Sequence, residues 1–149
     1  MNTYLVLKAI HVASAVLMVG NVTVTGAWAF LMYRHWRTTG ASFRPVARAI
    51  LWTDLLFTLA GGAGLTISGV LLARHLALPI LGSPWLVRGI AALAVSTLAW
   101  LVVLLPDQWR LERATDPAEV RRLFRRWNLV GWTSTAVLYY AIWCMVRKD

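Results

Sequence analysis

A lysine and a histidine lie one helical turn apart in the first long apolar stretch, and they are the residues best suited to chemistry. Lys8 and His11 belong to a set of side chains that falls on one helical face, within about 140° at 100° per residue. This polar face consists of Tyr4, Lys8, His11, Ser14, Met18, Asn21 and Thr25, and the opposite apolar face carries Leu5, Ala9, Val16, Ala27 and Leu31. A charge facing hydrocarbon costs about 2.5 to 3.5 kcal/mol or more. The polar face must therefore look at other helices, at water or at a bound cofactor.

The composition indicates a membrane protein. The chain is 59% hydrophobic and 14% charged, whereas a soluble domain carries about a quarter charged residues. The net charge of +9 does not indicate nucleic-acid binding, because the basic residues lie between apolar runs and form no single patch. The single cysteine, Cys144, leaves no partner for a disulfide within the chain and no basis for a cysteine cluster.

Four apolar segments are each about long enough to cross a hydrocarbon core of about 30 Å. They cover about residues 4–33, 49–73, 85–105 and 128–146 of a single domain, 1–149. We expect the first to be a retained helix, since it is too long for a signal-peptide core. Pro84 predicts the start of the third segment, and Pro106 lies just past its predicted end. Asp116 and Pro117 predict the start of an amphipathic interfacial helix over about 117–127. The prediction is an all-α, four-helix transmembrane bundle.

Two arginine-rich loops indicate the orientation of this bundle. They hold ten of the fifteen Lys and Arg residues, namely Arg34, Arg37, Arg44, Arg48, Arg110, Arg113, Arg121, Arg122, Arg125 and Arg126. The positive-inside rule makes their side cytoplasmic. We therefore expect a multi-pass protein of the bacterial cytoplasmic (inner) membrane with both termini on the outer, periplasmic side. His11 would then lie in the outer half of the membrane.

Four basic side chains are candidates for holding a cofactor on that side. His11 is suited to bind haem iron or copper, although it could equally form a packing hydrogen bond with a neighbouring helix. Lys8 and Arg88 lie at similar depth and could pair with carboxylates such as porphyrin propionates, or snorkel to the headgroups. His75 could be a second axial ligand or a solvated interface residue. Met18 and His11 share a face as a soft-ligand pair, but two ligands are few for a copper site.

Asp54 is the only acidic residue well inside an apolar run. It shares a helical face with Thr58 and Ser68 and with a glycine run, which consists of Gly61, Gly62, Gly64 and Gly69. Such a run lets a flat ligand or another helix approach closely, and plain helix packing is the simpler interpretation. We expect Asp54 to pair with Arg48, Asn128 or an arginine of the last loop. Its depth separates it from His11.

No hydrolase or kinase motif is visible in the sequence. A Ser, His and Asp arrangement with catalytic spacing is missing, and so is a phosphate-binding glycine loop. If the protein is an enzyme, its chemistry belongs to a bound cofactor.

Several short motifs resemble a family of uncharacterised bacterial predicted integral membrane proteins, a domain of unknown function. They are Tyr4-Leu-Val-Leu-Lys-Ala-Ile-His11, the run from Asp54 to Gly69, Trp85-Leu-Val-Arg88, Arg125-Arg-Trp127 and Met145-Val-Arg-Lys148. The opening is also remotely similar to HemJ-type protoporphyrinogen oxidases and, less closely, to CopD-type copper proteins. The HemJ resemblance implies that His11 binds haem b. Arg88 stands where that group would have a lysine, which weakens a transfer of its activity.

The leading hypothesis is a small membrane protein that binds haem b or a related porphyrin between its helices, for electron transfer or porphyrin handling. His11 would be the ligand, and Lys8 and Arg88 would be the carboxylate partners. The alternative is a non-catalytic accessory or assembly subunit of a larger membrane complex, or a homo-oligomer, whose glycine and aromatic faces are protein contacts. Metal permeation is a weaker third hypothesis.

Overall fold

Four long helices form the fold in a computed structural model that describes residues 2–148. They are α1 (Thr3–Thr39), α2 (Arg44–His75), α3 (Pro84–Arg113) and α4 (Pro117–Arg147), and each is long and apolar enough to span a membrane. At 1.5 Å per residue the 37-residue α1 is about 55 Å long, well beyond a hydrocarbon core of about 30 Å. The predicted all-α bundle of four candidate spans is confirmed.

Capping residues account for where the helices begin and end. Asn2 caps α1 by accepting a hydrogen bond from the Tyr4 amide at 3.1 Å. Gly40 ends the same helix in the left-handed region with φ 66°, where a residue without a Cβ is unstrained. Asp116 caps α4 through the Ala118 amide at 3.0 Å, and Pro117 follows as its first residue, as predicted. The segment 117–127 and the fourth predicted span form one continuous helix.

Two π-helical segments interrupt the α-helical pattern, Asp54–Thr58 in α2 and Trp100–Leu104 in α3. The prediction that the third segment ends before Pro106 is wrong, because α3 continues to Arg113. Proline has no N–H to donate to the carbonyl four residues earlier, which here belongs to Val102. A wider turn, in which the Leu105 amide donates to the Trp100 carbonyl, accommodates the proline inside the helix.

The helices are arranged in the order α2, α1, α4, α3, and the bundle is open on one side. Neighbours in this order contact each other, and α2 and α3 also meet through Arg44–Thr53 and Leu105–Arg113. This meeting lies at the end of the bundle that holds the arginine-rich loops, which we call the arginine-rich end. Beyond the π segments, Leu59–His75 and Pro84–Ala99 have no Cα atoms within 8 Å of each other. A gap therefore separates α2 from α3 over the rest of their length.

The predicted faces of α1 are confirmed. Every residue of its polar face except Lys8 is buried or half-buried, and Met18 and Thr25 are the most buried of them. On the opposite face, Leu5, Val16 and Leu31 keep 58%, 68% and 57% of their surface exposed. Large exposed apolar side chains are what a bilayer requires on the outside of a bundle. The protein is therefore a multi-pass integral membrane protein whose surroundings are lipid.

Candidate functional site

The glycine run of α2 packs directly against the polar face of α1. A Cβ added to Gly61 would lie 2.9 Å from the backbone nitrogen of Met18, which is closer than real contacts allow. A Cβ on Gly69 would lie 3.1 Å from the His11 ring. Small residues at such positions are the usual means of helix association in membranes. These two glycines therefore hold α1 and α2 together, which is the simpler of the two interpretations of the run.

His11 hydrogen-bonds to α2 within this contact. Its Nδ1 lies 3.0 Å from Ser68 Oγ, and the Ser68 hydroxyl donates its hydrogen to the Gly64 carbonyl at 2.5 Å. Since a hydroxyl has one hydrogen, Ser68 Oγ accepts from His11, and the neutral imidazole carries its proton on Nδ1. Its Nε2 then has the unprotonated lone pair that a metal ligand needs.

The other predicted cofactor residues lie on the surface. Lys8, His75 and Arg88 are all exposed, and the Lys8 ammonium lies 5.7 Å from the centre of the Tyr4 ring. Within residues 2–148 no hydrogen bond or ion pair joins any of the three to His11. In the same range no group of three His, Cys, Asp or Glu side chains is placed to hold a metal ion. Cofactor binding by these four residues stays a prediction.

A larger feature lies between all four helices, at the level of the π segments. It is a cavity of about 380 Å³, a volume within the range of small-molecule sites. The first and last residues of both π segments line it, which are Asp54, Thr58, Trp100 and Leu104. The walls that flank the gap between α2 and α3 include exposed side chains, and Ile67 keeps 62% of its surface accessible. The cavity therefore opens through this gap toward the lipid.

Asp54 is the polar centre of the cavity and is only 4% exposed. Its Oδ1 accepts hydrogen bonds from Asn21 Nδ2 at 3.1 Å and from Thr58 Oγ1 at 3.3 Å. Its Oδ2 accepts a short one, 2.5 Å, from Gln108 Nε2. Asn21 also reaches the Thr53 carbonyl at 3.4 Å, where the π segment of α2 begins. Helices α1, α2 and α3 thus all contribute to holding this carboxylate in place.

The expected basic partner of Asp54 is not found. Within the described part of the chain Asp54 forms no ion pair, and Arg48 pairs instead with Glu112 at 3.9 Å. Arg126 of the last loop forms two hydrogen bonds with Asp107, one of them 2.7 Å from Nε to Oδ2. The prediction that Asp54 pairs with Arg48, Asn128 or a loop arginine is therefore wrong: Glu112 pairs with Arg48, Asp107 holds Arg126, and among the described residues no hydrogen bond joins Asn128 to Asp54.

Three buried polar atoms of the cavity lack a hydrogen-bond partner among residues 2–148. They are the indole nitrogens of Trp100 and Trp127 and the Asn128 side-chain oxygen. The Trp100 N–H faces Asp54 without completing a hydrogen bond. Leaving such an atom buried and unpaired costs about 1 to 3 kcal/mol. The cavity thus combines apolar walls with two free donors, one free acceptor and a carboxylate.

Residues 5–149 match a family that is described as a predicted integral membrane protein, DUF2269. The chain belongs to this family. No curated protein and no solved structure matches it. The remote similarity of this DUF2269 protein to HemJ-type and CopD-type proteins stays a prediction.

Sequence reasoning singled out Asp54 in this DUF2269 protein but missed the side chain that binds it most closely. The predicted end of the third segment before Pro106 leaves Gln108 outside the membrane-spanning helices. A signal was present, since Pro106 is followed by Asp107 and Gln108 and then by more residues that favour helix. Continued to Arg113, α3 places Gln108 two turns beyond Trp100 and against α2.

Proposed function

We propose that this membrane protein binds a small, mostly apolar molecule in the inter-helix cavity, and that the molecule enters from the lipid through the gap between α2 and α3. The observation that carries the proposal is the cavity itself, lined by all four helices, with unpartnered polar atoms in its wall. A concave apolar pocket with a few convergent polar groups is the usual form of a small-molecule site.

The contrast with the tight contact between α1 and α2 supports a site in preference to a packing defect. At the contact between α1 and α2 the helices approach closely and leave no space, as at Gly61. Around the cavity it places three tryptophans, Trp100, Trp127 and Trp132. A bundle that only needed to close this space would bring its buried indole N–H groups into contact with acceptors. A ligand can supply that acceptor.

Native mass spectrometry of the purified protein tests the proposal. The variant Ala63→Phe adds a ring on the α2 side of the cavity, where it reduces the free volume. The variant Ala60→Phe adds the same ring at an exposed position that does not line the cavity. We expect a non-covalent small-molecule adduct on the wild type and on Ala60→Phe, and its loss from Ala63→Phe. A bare protein mass in every preparation, or the same adduct on Ala63→Phe, would overturn the proposal.

Haem b or a related porphyrin bound through His11 is the second candidate, for electron transfer or porphyrin handling. The observation that favours it is the hydrogen bond from His11 Nδ1 to Ser68, which leaves Nε2 unprotonated. Metal-bound histidines usually have their other ring nitrogen fixed in this way. Lys8 and Arg88 would pair with the propionates, and His75 would be a second ligand.

Absorption spectra of the oxidised and dithionite-reduced protein test this candidate. A haem b spectrum that His11→Ala abolishes and His35→Ala retains would support it. His35 is the matched control, because it is exposed near the arginine-rich end of α1. A featureless spectrum of haem-replete wild-type protein would reject it.

A further inference from the structure

The groups around Asp54 all donate hydrogen bonds to it. Each of its two oxygens faces an amide N–H, from Asn21 on one side and from Gln108 on the other, and an amide N–H can only donate. The Thr58 hydroxyl accepts from Asn21 at 3.0 Å, so its own hydrogen is directed to Asp54. Every hydrogen bond that the described residues form with the carboxyl group is therefore donated to it. This arrangement favours the ionised carboxylate.

The surroundings of Asp54 provide no positive charge to balance it. The side chains that face it are polar but neutral, from α1, α2 and α3 in turn: Asn21, Thr58, Gln108 and Trp100. Within residues 2–148 no Lys, Arg or His lies within ion-pair distance of it. An ionised group inside a membrane normally has a partner, and its presence indicates a functional site. A cation bound in the cavity would supply that partner.

The rest of the cavity defines what kind of cation fits. The Asn128 oxygen is an acceptor without a donor, and the Trp127 N–H is a donor without an acceptor. Three indole rings line the apolar walls, and aromatic faces attract organic cations. Hard metal ions are bound mainly through carboxylate oxygens, and Asp54 is the only carboxylate among the described residues that line the cavity.

We infer that the ligand of this cavity is an organic ammonium ion with an apolar body, whose N–H groups donate to Asp54 and to the Asn128 oxygen. An acceptor on the body of the ligand would take the free N–H of Trp127. This inference rests on the proposed function, since it names the ligand class of the same cavity. It assigns Asp54 as the residue that distinguishes cationic ligands from neutral ones.

A pair of fluorescent probes that differ only in charge tests the inference. Dansylcadaverine carries a primary ammonium, a sulfonamide acceptor and an apolar ring, and its N-acetyl derivative is neutral. Binding to the protein in nanodiscs of zwitterionic lipid is followed by energy transfer from tryptophan to the dansyl group, with empty nanodiscs as background. We expect the wild type to bind the ammonium at least tenfold more tightly than the neutral derivative.

Two acid-to-amide variants separate the role of Asp54 from a general loss of charge. Asp54→Asn is expected to weaken ammonium binding about tenfold, which corresponds to about 1.4 kcal/mol, and to leave the neutral probe unchanged. Glu112→Gln removes one negative charge near the arginine-rich end, where Glu112 pairs with Arg48. It should change the binding of neither the ammonium probe nor the neutral probe. Equal binding of the ammonium by the wild type and Asp54→Asn would overturn the inference.

Wild-type protein alone provides a second measurement, in case Asp54→Asn does not fold. Hexylammonium should displace bound dansylcadaverine, whereas hexanol and sodium chloride at equal concentration should not. Displacement by hexanol to the same extent would reject the ammonium ion as the ligand.

The cavity-filling variant distinguishes a failure of the inference from a failure of the proposed function. If the wild type binds both probes equally and Ala63→Phe blocks both, the cavity is a binding site for neutral molecules and only the ammonium inference fails. If Ala63→Phe leaves the binding of both probes intact, the cavity is not the site and both proposals fail.

Discussion

Two buried carboxylates of this protein, Asp54 and Asp107, have opposite surroundings. Asp107 is completely buried at the arginine-rich end, where Arg126 donates two hydrogen bonds to it and Arg110 lies 3.8 Å away. Asp54 is almost equally buried, but only neutral groups donate to it, and it borders a cavity. The paired acid lies in a packed region, whereas the unpaired one lies beside empty space. This difference separates a carboxylate that stabilises the fold from one that is available to a ligand.

The packing around the two acids differs in the same way. Near Asp107 an aromatic cluster fills the space between α1, α2 and α4: Tyr33 stacks on Phe124 with ring centres 4.1 Å apart, and Phe43 meets the edge of Phe124 at 5.6 Å. Trp127 extends this cluster to the wall of the cavity. The cavity is therefore bordered on one side by this packed aromatic cluster, which keeps its shape defined.

Removing the central ring of the aromatic cluster should have the largest effect on stability. Phe124 is 2% exposed, and Phe124→Ala is expected to lower the free energy of unfolding by about 3 to 5 kcal/mol, because it leaves a cavity in packed surroundings. The control is Phe57→Ala, which removes the same side chain from a 43% exposed position. Unfolding by a denaturing detergent in mixed micelles measures both. Equal losses in the two variants would show that the arginine-rich end is no more tightly packed than the lipid-facing surface.

The two carboxylates can be compared directly by the same substitution. Asp107→Asn removes charge-assisted hydrogen bonds from Arg126 and should cost about 2 kcal/mol of unfolding free energy. Asp54→Asn removes a charge that has no basic partner, so we expect its effect on stability to be near zero or favourable. Thermal unfolding in detergent without added ligand gives both values. A loss for Asp54→Asn as large as that for Asp107→Asn would make Asp54 a structural residue.

Adding one methyl group should lower stability at the close contact between α1 and α2 but not at a position with open space around it. A Cβ at Gly61 collides with the backbone of Met18, so Gly61→Ala should cost about 1 to 2 kcal/mol as α1 and α2 move apart. Gly20→Ala is the control, because nothing lies within 4 Å of its added Cβ, and it should be neutral or slightly stabilising. Thermal unfolding of the two variants measures the difference. Tolerance of Gly61→Ala would indicate that α1 and α2 adjust easily.

The features of the fold that depend on local chemistry were predictable from the sequence, and those that depend on helix placement were not. Periodicity identified the polar face of α1, and Asp116 with Pro117 identified the start of α4. The helix end predicted at Pro106 was wrong, because proline usually ends a helix but is here accommodated by a π segment. The cavity could not be predicted, since it exists where α2 and α3 diverge, and no residue pattern records the distance between two helices. Because the third helix was predicted to end before Pro106, the hydrogen bond from Gln108 to Asp54 could not be predicted either.

The smallest effect on stability should come from removing the hydrogen bond between His11 and Ser68. The same substitution tests whether His11 serves in helix packing or as a haem ligand. Hydrogen bonds between membrane helices contribute about 0.6 kcal/mol on average, so Ser68→Ala should lower the unfolding free energy by about that amount. Ser14→Ala on the same interface is the control for loss of a hydroxyl near the glycine run. If His11 binds haem, Ser68→Ala should also shift the haem reduction potential, because Ser68 would fix the ligand ring. A stability loss with an unchanged potential would leave His11 only a role in joining α1 to α2.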